Sequence, residues 1–351
     1  MNALAGVLPV VHEDVGGPAQ PLLSVRGLTK HFPLKRDPLS RRKGGSAVRA
    51  VDGVDFDVKK GETLGVVGES GCGKSTTARL VMQLTRQDRG ELVFDGVTVG
   101  SRGLALREFR RQTQMVFQDS YSSLNPRMTI EDSIAFGPQV HGMPRRDAIG
   151  VARGLLGRVG LDAQRFAGRY PHELSGGQRQ RVNIARALAL HPRLVILDEA
   201  VSALDKSVEA QVLNLLLDLK TDFGLTYMFI SHDLNVVRYI SDRVMVMYLG
   251  EVVELGPVDQ VFDTPRHPYT QALLRSMPCM EPGQRTETAP LSGDPPNPID
   301  PPPGCRFHTR CAQARAACAQ EAPVLAAHDG QAVRCLMYQP ESGYQASGAL
   351  A

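Results

Sequence analysis

Apolar and polar positions alternate in LLSVRGLTKHF and again in VRAVDGVDFDV, the two-residue period of half-buried β-strands. Between them the basic, Gly- and Pro-containing stretch PLKRDPLSRRKGGSA predicts a solvated hairpin loop. The short apolar run in ETLGVVG then enters a Gly-rich turn, and STTARLVMQL continues as a helix. From roughly 119 to 185 the chain is Arg-rich with helical apolar spacing, as in IGVARGLLGRVG and GGQRQRVNIARALAL, which predicts an inserted helical subdomain. Continuous apolar runs return in RLVILDEA and LTYMFISHD, separated by the amphipathic VEAQVLNLLLDLKTDF; DRVMVMYLG and EVVELG predict a closing pair of strands. Strands alternating with helices imply an α/β core around a largely parallel sheet.

Punctuation marks where this pattern starts and stops. Residues 1–21 carry Pro and Gly without periodicity and predict a flexible N-terminus. The patterned segment is 22–277; 278–340 reads as an irregular linker, PGQRTETAPLSGDPPNPIDPPPGC, followed by a small Cys-rich C-terminal domain, and 341–351 as a flexible tail. With 42% hydrophobic and 22% charged residues the 351-residue chain is neither disordered nor collagen-like. Its net charge of +3 is too small to imply a nucleic-acid partner. No apolar run has the length of a membrane-spanning helix, and MNALAGVLPVVHEDVGG lacks the basic start of a secretory signal, so a cytosolic location is expected.

The candidate chemistry lies at the ends of the predicted strands. Gly68-Glu69-Ser70-Gly71-Cys72-Gly73-Lys74-Ser75 fits G-x-x-x-x-G-K-[ST] after a strand and before a helix. Small residues let backbone N–H groups wrap a polyphosphate, Lys74 meets its β and γ oxygens, Ser75 ligates Mg²⁺, and Thr76 adds a hydroxyl near the α-phosphate. Cys72 is expected to be a bystander whose alkylation blocks nucleotide entry. Asp198 and Glu199 end a buried strand, where ligands of open α/β sheets collect: Asp198 suits Mg²⁺, and Glu199 suits polarising the water that attacks the γ-phosphate. His232, after the next buried strand, could reach the same phosphate.

Leu174-Ser175-Gly176-Gly177-Gln178 followed by RQR resembles the signature sequence of ATP-binding-cassette (ABC) ATPases, and the rest of that set is present in order. The resemblance implies the phosphate loop at 68–76, with Gly68, Ser70, Gly71, Gly73, Lys74, Ser75 and Thr76 binding nucleotide. It implies Gln118 in MVFQD as a catalytic and Mg²⁺-binding glutamine, Glu199 as base, His232 as the switch histidine, and Ser202 and Asp205 in the loop SALD. Ser175, Gly176, Gly177 and Gln178 are implied to contact ATP held by a second cassette in a head-to-tail dimer, consistent with the positive end of a helix meeting a γ-phosphate. The family's adenine-stacking aromatic corresponds to Phe32 in LTKHF, with Phe56 as its rival. The implied fold is a P-loop ABC-type nucleotide-binding domain with a mostly parallel sheet core, an antiparallel β subdomain and a helical subdomain. Ala200, Lys206 and Ser120 depart from the usual pattern without removing a catalytic group.

QDSYSSLNPRMT, YPHELSGGQRQR, SALDKSVEAQVLNLL, GPVDQVF and HPYTQALL are similar to ATPases of the oligopeptide/dipeptide permease group, and the basic insertion and DEAVSALD to its F-type subunit. Cys305, Cys311, Cys318 and Cys335 offer four thiols at spacings longer than zinc knuckles, open to a four-thiolate metal site or to a role as unligated core thiols. The resemblance implies a [4Fe–4S] cluster there, with zinc as the alternative. The expected function is ATP-driven uptake of di- or oligopeptides at the cytoplasmic face of the inner membrane. Two transmembrane permease subunits, a sister ABC ATPase and, indirectly, an extracytoplasmic substrate-binding protein are the expected partners, without nucleic acid. Alternatives are import of nickel or an oligosaccharide by the same means, or a soluble ABC ATPase acting on DNA or ribosomes.

Overall fold

A computed structural model describes residues 14–34, 47–277 and 293–344. The expectations for most of the N-terminal segment and the basic hairpin loop, for the first part of the linker and for the end of the tail therefore lie outside the described residues. The chain divides into two compact units. One takes the described residues of Met1–Ser24, Asp57–Thr63 and Leu92–Ser231, the other those of Val25–Phe56, Leu64–Glu91 and His232–Ala351.

In the first unit, strands Thr113–Val116, Leu194–Asp198 and Thr226–Ile230 pair in parallel, with Thr113 opposite Leu194 and Leu194 opposite Thr226. Every residue of the last two strands is buried, which explains why they read as unbroken apolar runs. Helices Ile130–Val140, Arg145–Arg158 and Gly176–Leu188 pack on one another. Thr129 caps the first of these by accepting from the Asp132 N–H at 3.3 Å. The Pro138 ring in the helix Ile130–Val140 is buried, and the helix runs only two residues past it.

The second unit carries the strand–loop–helix unit: Thr63–Val67 leads into the phosphate loop and Lys74–Val81 follows. Its strand pairs in parallel with Arg243–Tyr248, which pairs antiparallel with Glu251–Pro257 as the closing pair predicts. Two strands absent from the sequence expectation continue this sheet. Gln331–Val333 pairs antiparallel with Glu251–Pro257, and Ala326–His328 pairs with Gln331–Val333. Both are three residues long, too short for alternation to show. Among the described residues, no helix is long and apolar enough to cross a membrane.

Candidate functional site

Three glycines of the proposed phosphate loop, Gly68, Gly71 and Gly73, have positive φ, and two of them are also closely packed. Gly68 sits at φ 148° and Gly73 at φ 110°, left-handed conformations that side chains avoid. A Cβ at Gly68 would strike the Met247 carbonyl and the Cys72 thiol, and one at Gly73 the Ala50 carbonyl. Lys74 is buried and folds back over the loop, donating to the carbonyls of Gly68 at 2.6 Å and Glu69 at 3.1 Å. Cys72 is 3% exposed, and burial pushes its thiol pKa up, partly offset by Lys74. A buried, neutral thiol is a poor nucleophile. Phe56 is buried in the core at 2% exposure, whereas Phe32 is 39% exposed, with Lys30 Nζ over its ring at 5.6 Å from the centre, so of the two only Phe32 is accessible. His232, also in this unit, is exposed ahead of a helix whose first N–H groups are capped by Asp233.

The first unit gathers Gln118, Asp198, Glu199, Ser202 and the signature. Asp198 is 4% exposed at the end of its strand. Glu199 adopts φ 49°, an uncommon region for a residue with a Cβ, held by its N–H donating to Ile230 at 2.9 Å. Its carboxylate accepts a 2.8 Å hydrogen bond from the Gln118 amide, and its carbonyl accepts from the Ser202 hydroxyl at 3.0 Å. Ser175 caps the signature helix: its hydroxyl accepts from the Gln178 N–H at 3.3 Å, and the Gln178 side chain accepts from the Ser175 N–H at 2.9 Å. Gln178 thus closes a capping box. Gly177 is packed so closely that a Cβ would lie 2.5 Å from Val208 Cγ1, on the helix Lys206–Phe223 that Asp205 precedes.

Sequence reasoning missed the ties between the segment after Gln118 and the signature helix. Asn183, 1% exposed, donates to the Ser120 carbonyl and accepts from the Ser123 hydroxyl, both at 3.0 Å. Arg186 donates to the Ser123 carbonyl, and the Arg179 guanidinium lies 5.6 Å from the Tyr121 ring centre. Only the helical spacing of Arg179, Asn183 and Arg186 in the sequence hinted at a shared face.

The profile described as ABC transporter matches residues 51–202, and that described as oligopeptide/dipeptide transporter, C-terminal region, matches residues 253–318. The oligopeptide transport ATP-binding protein AppF of Bacillus subtilis is 50% identical over 307 residues, covering 86% of this chain and 92% of its own. The chain belongs to the ABC transporter family. The dipeptide transport ATP-binding protein DppF of Escherichia coli is 46% identical over 331 residues, 93% of this chain and 97% of that protein. Among solved structures, cbiO1 from Clostridium perfringens, part of the cbiONQ ABC transporter complex, superposes with TM-score 0.59 at 26% identity, over 70% of this chain and 91% of that one. The ATP-binding cassette MJ0796, bound to ADP and Pi, gives 0.57 at 28% identity over 67% and 98%. As a family member the chain is an ATP-hydrolysing subunit with an ABC ATPase fold of mixed α/β sheets.

The four C-terminal cysteines line a single cavity together with His267, Phe307 and other residues. Burial pushes the Cys305 thiol up to about 11 and the Cys335 thiol up to about 12. Among the described residues, no three His, Cys, Asp or Glu side chains gather as a single metal ion needs, so the expected zinc and cluster sites gain no support from the geometry.

Proposed function

We propose that this ABC ATPase powers the uptake of di- or oligopeptides as one subunit of a membrane importer. The observation that carries the reading is the match of residues 253–318 to the oligopeptide/dipeptide transporter C-terminal region, on a chain matched nearly end to end by peptide-transport ATP-binding proteins. The intact Gln118–Glu199 contact supports turnover by this chain itself. Glu199 takes the proton of the attacking water, Gln118 orients the Glu199 carboxylate, and Lys74 binds the β and γ oxygens. His232 steadies the γ-phosphate, Phe32 stacks on adenine, and Ser175, Gly176 and Gly177 contact the ATP of a second cassette. Hydroxyl, amide and carboxylate oxygens from Ser75, Gln118 and Asp198 suit Mg²⁺, which supplies charge neutralisation of the phosphates.

The working assembly is two transmembrane permeases with this chain and a sister ATPase, on the cytoplasmic face of the inner membrane, fed by an extracytoplasmic binding protein. Exposed Tyr121, Phe136 and Val140 in the helical region support permease docking there. The organisation follows residues 22–277 as the ATPase domain and 278–340 as linker and C-terminal domain. Tagged Glu199→Gln, isolated from membranes with ATP, is expected to bring down permeases, a sister ATPase and peptide-loaded binding protein. Recovery alone, or with ribosomes or DNA, overturns the importer reading, and a nickel- or oligosaccharide-loaded binding protein overturns the peptide cargo.

The finer reading of the cysteines is a [4Fe–4S] cluster, in which each iron takes one thiolate rather than all four thiols meeting one ion as zinc requires. What supports it is the sequence resemblance of the C-terminal region alone. Anaerobic purification is expected to give about four irons per chain; a chain free of iron and sulfide reduces the four cysteines to core thiols.

A further inference from the structure

HPYTQALL and GCRFHTRC have no place in the hydrolysis chemistry, yet both converge on one residue of the phosphate loop. The Glu69 N–H donates to the Tyr269 hydroxyl at 2.8 Å. The Glu69 carboxylate receives both guanidinium nitrogens of Arg310 in a fork, at 2.8 and 3.0 Å. Its carbonyl accepts from Lys74 at 3.1 Å and from the Cys72 N–H at 3.2 Å. Every polar group of Glu69 is therefore held, and two of the holders come from the C-terminal region. The Arg310 side chain is only 6% exposed, so solvent does not screen this pair as it would a surface ion pair.

Arg310 ends a tight turn that begins at Cys305. The Cys305 N–H donates to Cys318 at 2.8 Å, the His308 N–H to Cys305 at 3.0 Å, and the Arg310 N–H to Phe307 at 3.0 Å. Phe307 anchors the turn, its ring edge-on to Tyr248 at 5.3 Å and to Tyr269 at 5.4 Å. On the other side of Phe307, Arg306 donates to the Leu249 carbonyl and pairs with Asp52, whose carboxylate also meets His31, the neighbour of Phe32. Cys305 and Cys311 bracket this turn, so the thiol-lined cavity and the phosphate loop are joined by one short hydrogen-bonded segment.

We infer that Arg310 is a positioning residue for nucleotide binding, fixing the first leg of the phosphate loop through Glu69, and that the Cys305–Cys311 turn governs ATP affinity through this pair. A loop held before nucleotide arrives loses less freedom on binding it. The inference rests on the ATPase reading and is independent of which group, if any, the thiols hold.

The test compares ATP KM, kcat and the Kd of a fluorescent ATP analogue in full-length chains. Arg310→Met is expected to raise KM and Kd about tenfold with kcat within about threefold, and Arg310→Lys to fall between, since an ammonium lacks the fork. Glu69→Gln behaves like Arg310→Met, and the double variant is no weaker than either. Cys311→Ala raises Kd in the wild-type background and not beside Arg310→Met. A fall in kcat with KM unmoved, multiplying effects in the double variant, or an equal Cys311→Ala effect in both backgrounds overturns the inference. If Arg310→Met fails to fold, Arg310→Lys and Glu69→Gln decide it. A wild-type chain that neither binds nor hydrolyses ATP removes the ATPase reading itself.

Discussion

The Gln118 side-chain amide donates to the Glu199 carboxylate at 2.8 Å, joining the loop after one parallel strand to the end of its neighbour. A carboxylate held in this way is aimed before substrate arrives, which is what a general base requires. Glu199→Gln is expected to lower kcat by about 10²- to 10³-fold while ATP remains bound. Phosphate release and retained nucleotide, measured on the same sample, check it; unchanged hydrolysis would remove Glu199 from the role of base.

Gly177 touches Val208 where a methyl group has no room. Gly177→Ala is expected to cost about 1–3 kcal/mol by overpacking, and Val208→Ala added to it should restore much of the loss. Denaturant midpoints of the two single variants and the pair give the answer, with no rescue counting against direct contact.

Asn183 holds the carbonyl of Ser120 and the hydroxyl of Ser123 from the signature helix. Asn183→Ala removes one partner each from the Ser120 carbonyl and the Ser123 hydroxyl, which keep their own 3.2 Å contact, an expected loss of about 1 kcal/mol. Hydrogen exchange should quicken in residues 119–124 of that variant; exchange confined to other segments would refute the tie.

Burial alone would raise the Asp95 carboxyl pKa, but hydrogen bonds from Arg193, Lys60 and the Val15 N–H, with the charge of Arg193, hold it well below the usual range. The Arg193 and Lys60 contacts are 2.7 and 2.8 Å. Because the folded pKa is depressed, this stabilisation is complete above the unfolded value near 3.9 and is lost as pH falls through the lower folded one. Asp95→Asn is expected to lower stability at pH 7 by about 3–5 kcal/mol and to flatten the acid limb below pH 4. Unfolding curves between pH 2 and 7 measure both.

Cys72 lies inside the proposed phosphate loop, buried against Gly68 and Lys74. In the native chain near neutral pH its alkylation is expected to run at least about tenfold slower than in the denatured chain. Mass spectrometry of timed samples reads the rate, and equal rates would mean the loop opens freely.

What the sequence determined by itself is the chemistry that depends on neighbours along the chain. A phosphate loop needs glycines, a lysine and a hydroxyl at fixed spacing, and parallel strands buried on both faces need unbroken apolar runs, so the motif at 68–76 and the buried strand that ends at Asp198 were readable without coordinates. The three-residue strands at Ala326–His328 and Gln331–Val333 were not, because their identity lies in the edge they join. Nor were the partners of the site. Gln118 meets Glu199 across 81 residues and Arg310 meets Glu69 across 241. Such pairs are chosen by which side chains the packed sheets and turns bring within hydrogen-bonding reach, and an arginine or glutamine carries no mark of its partner until folding places it.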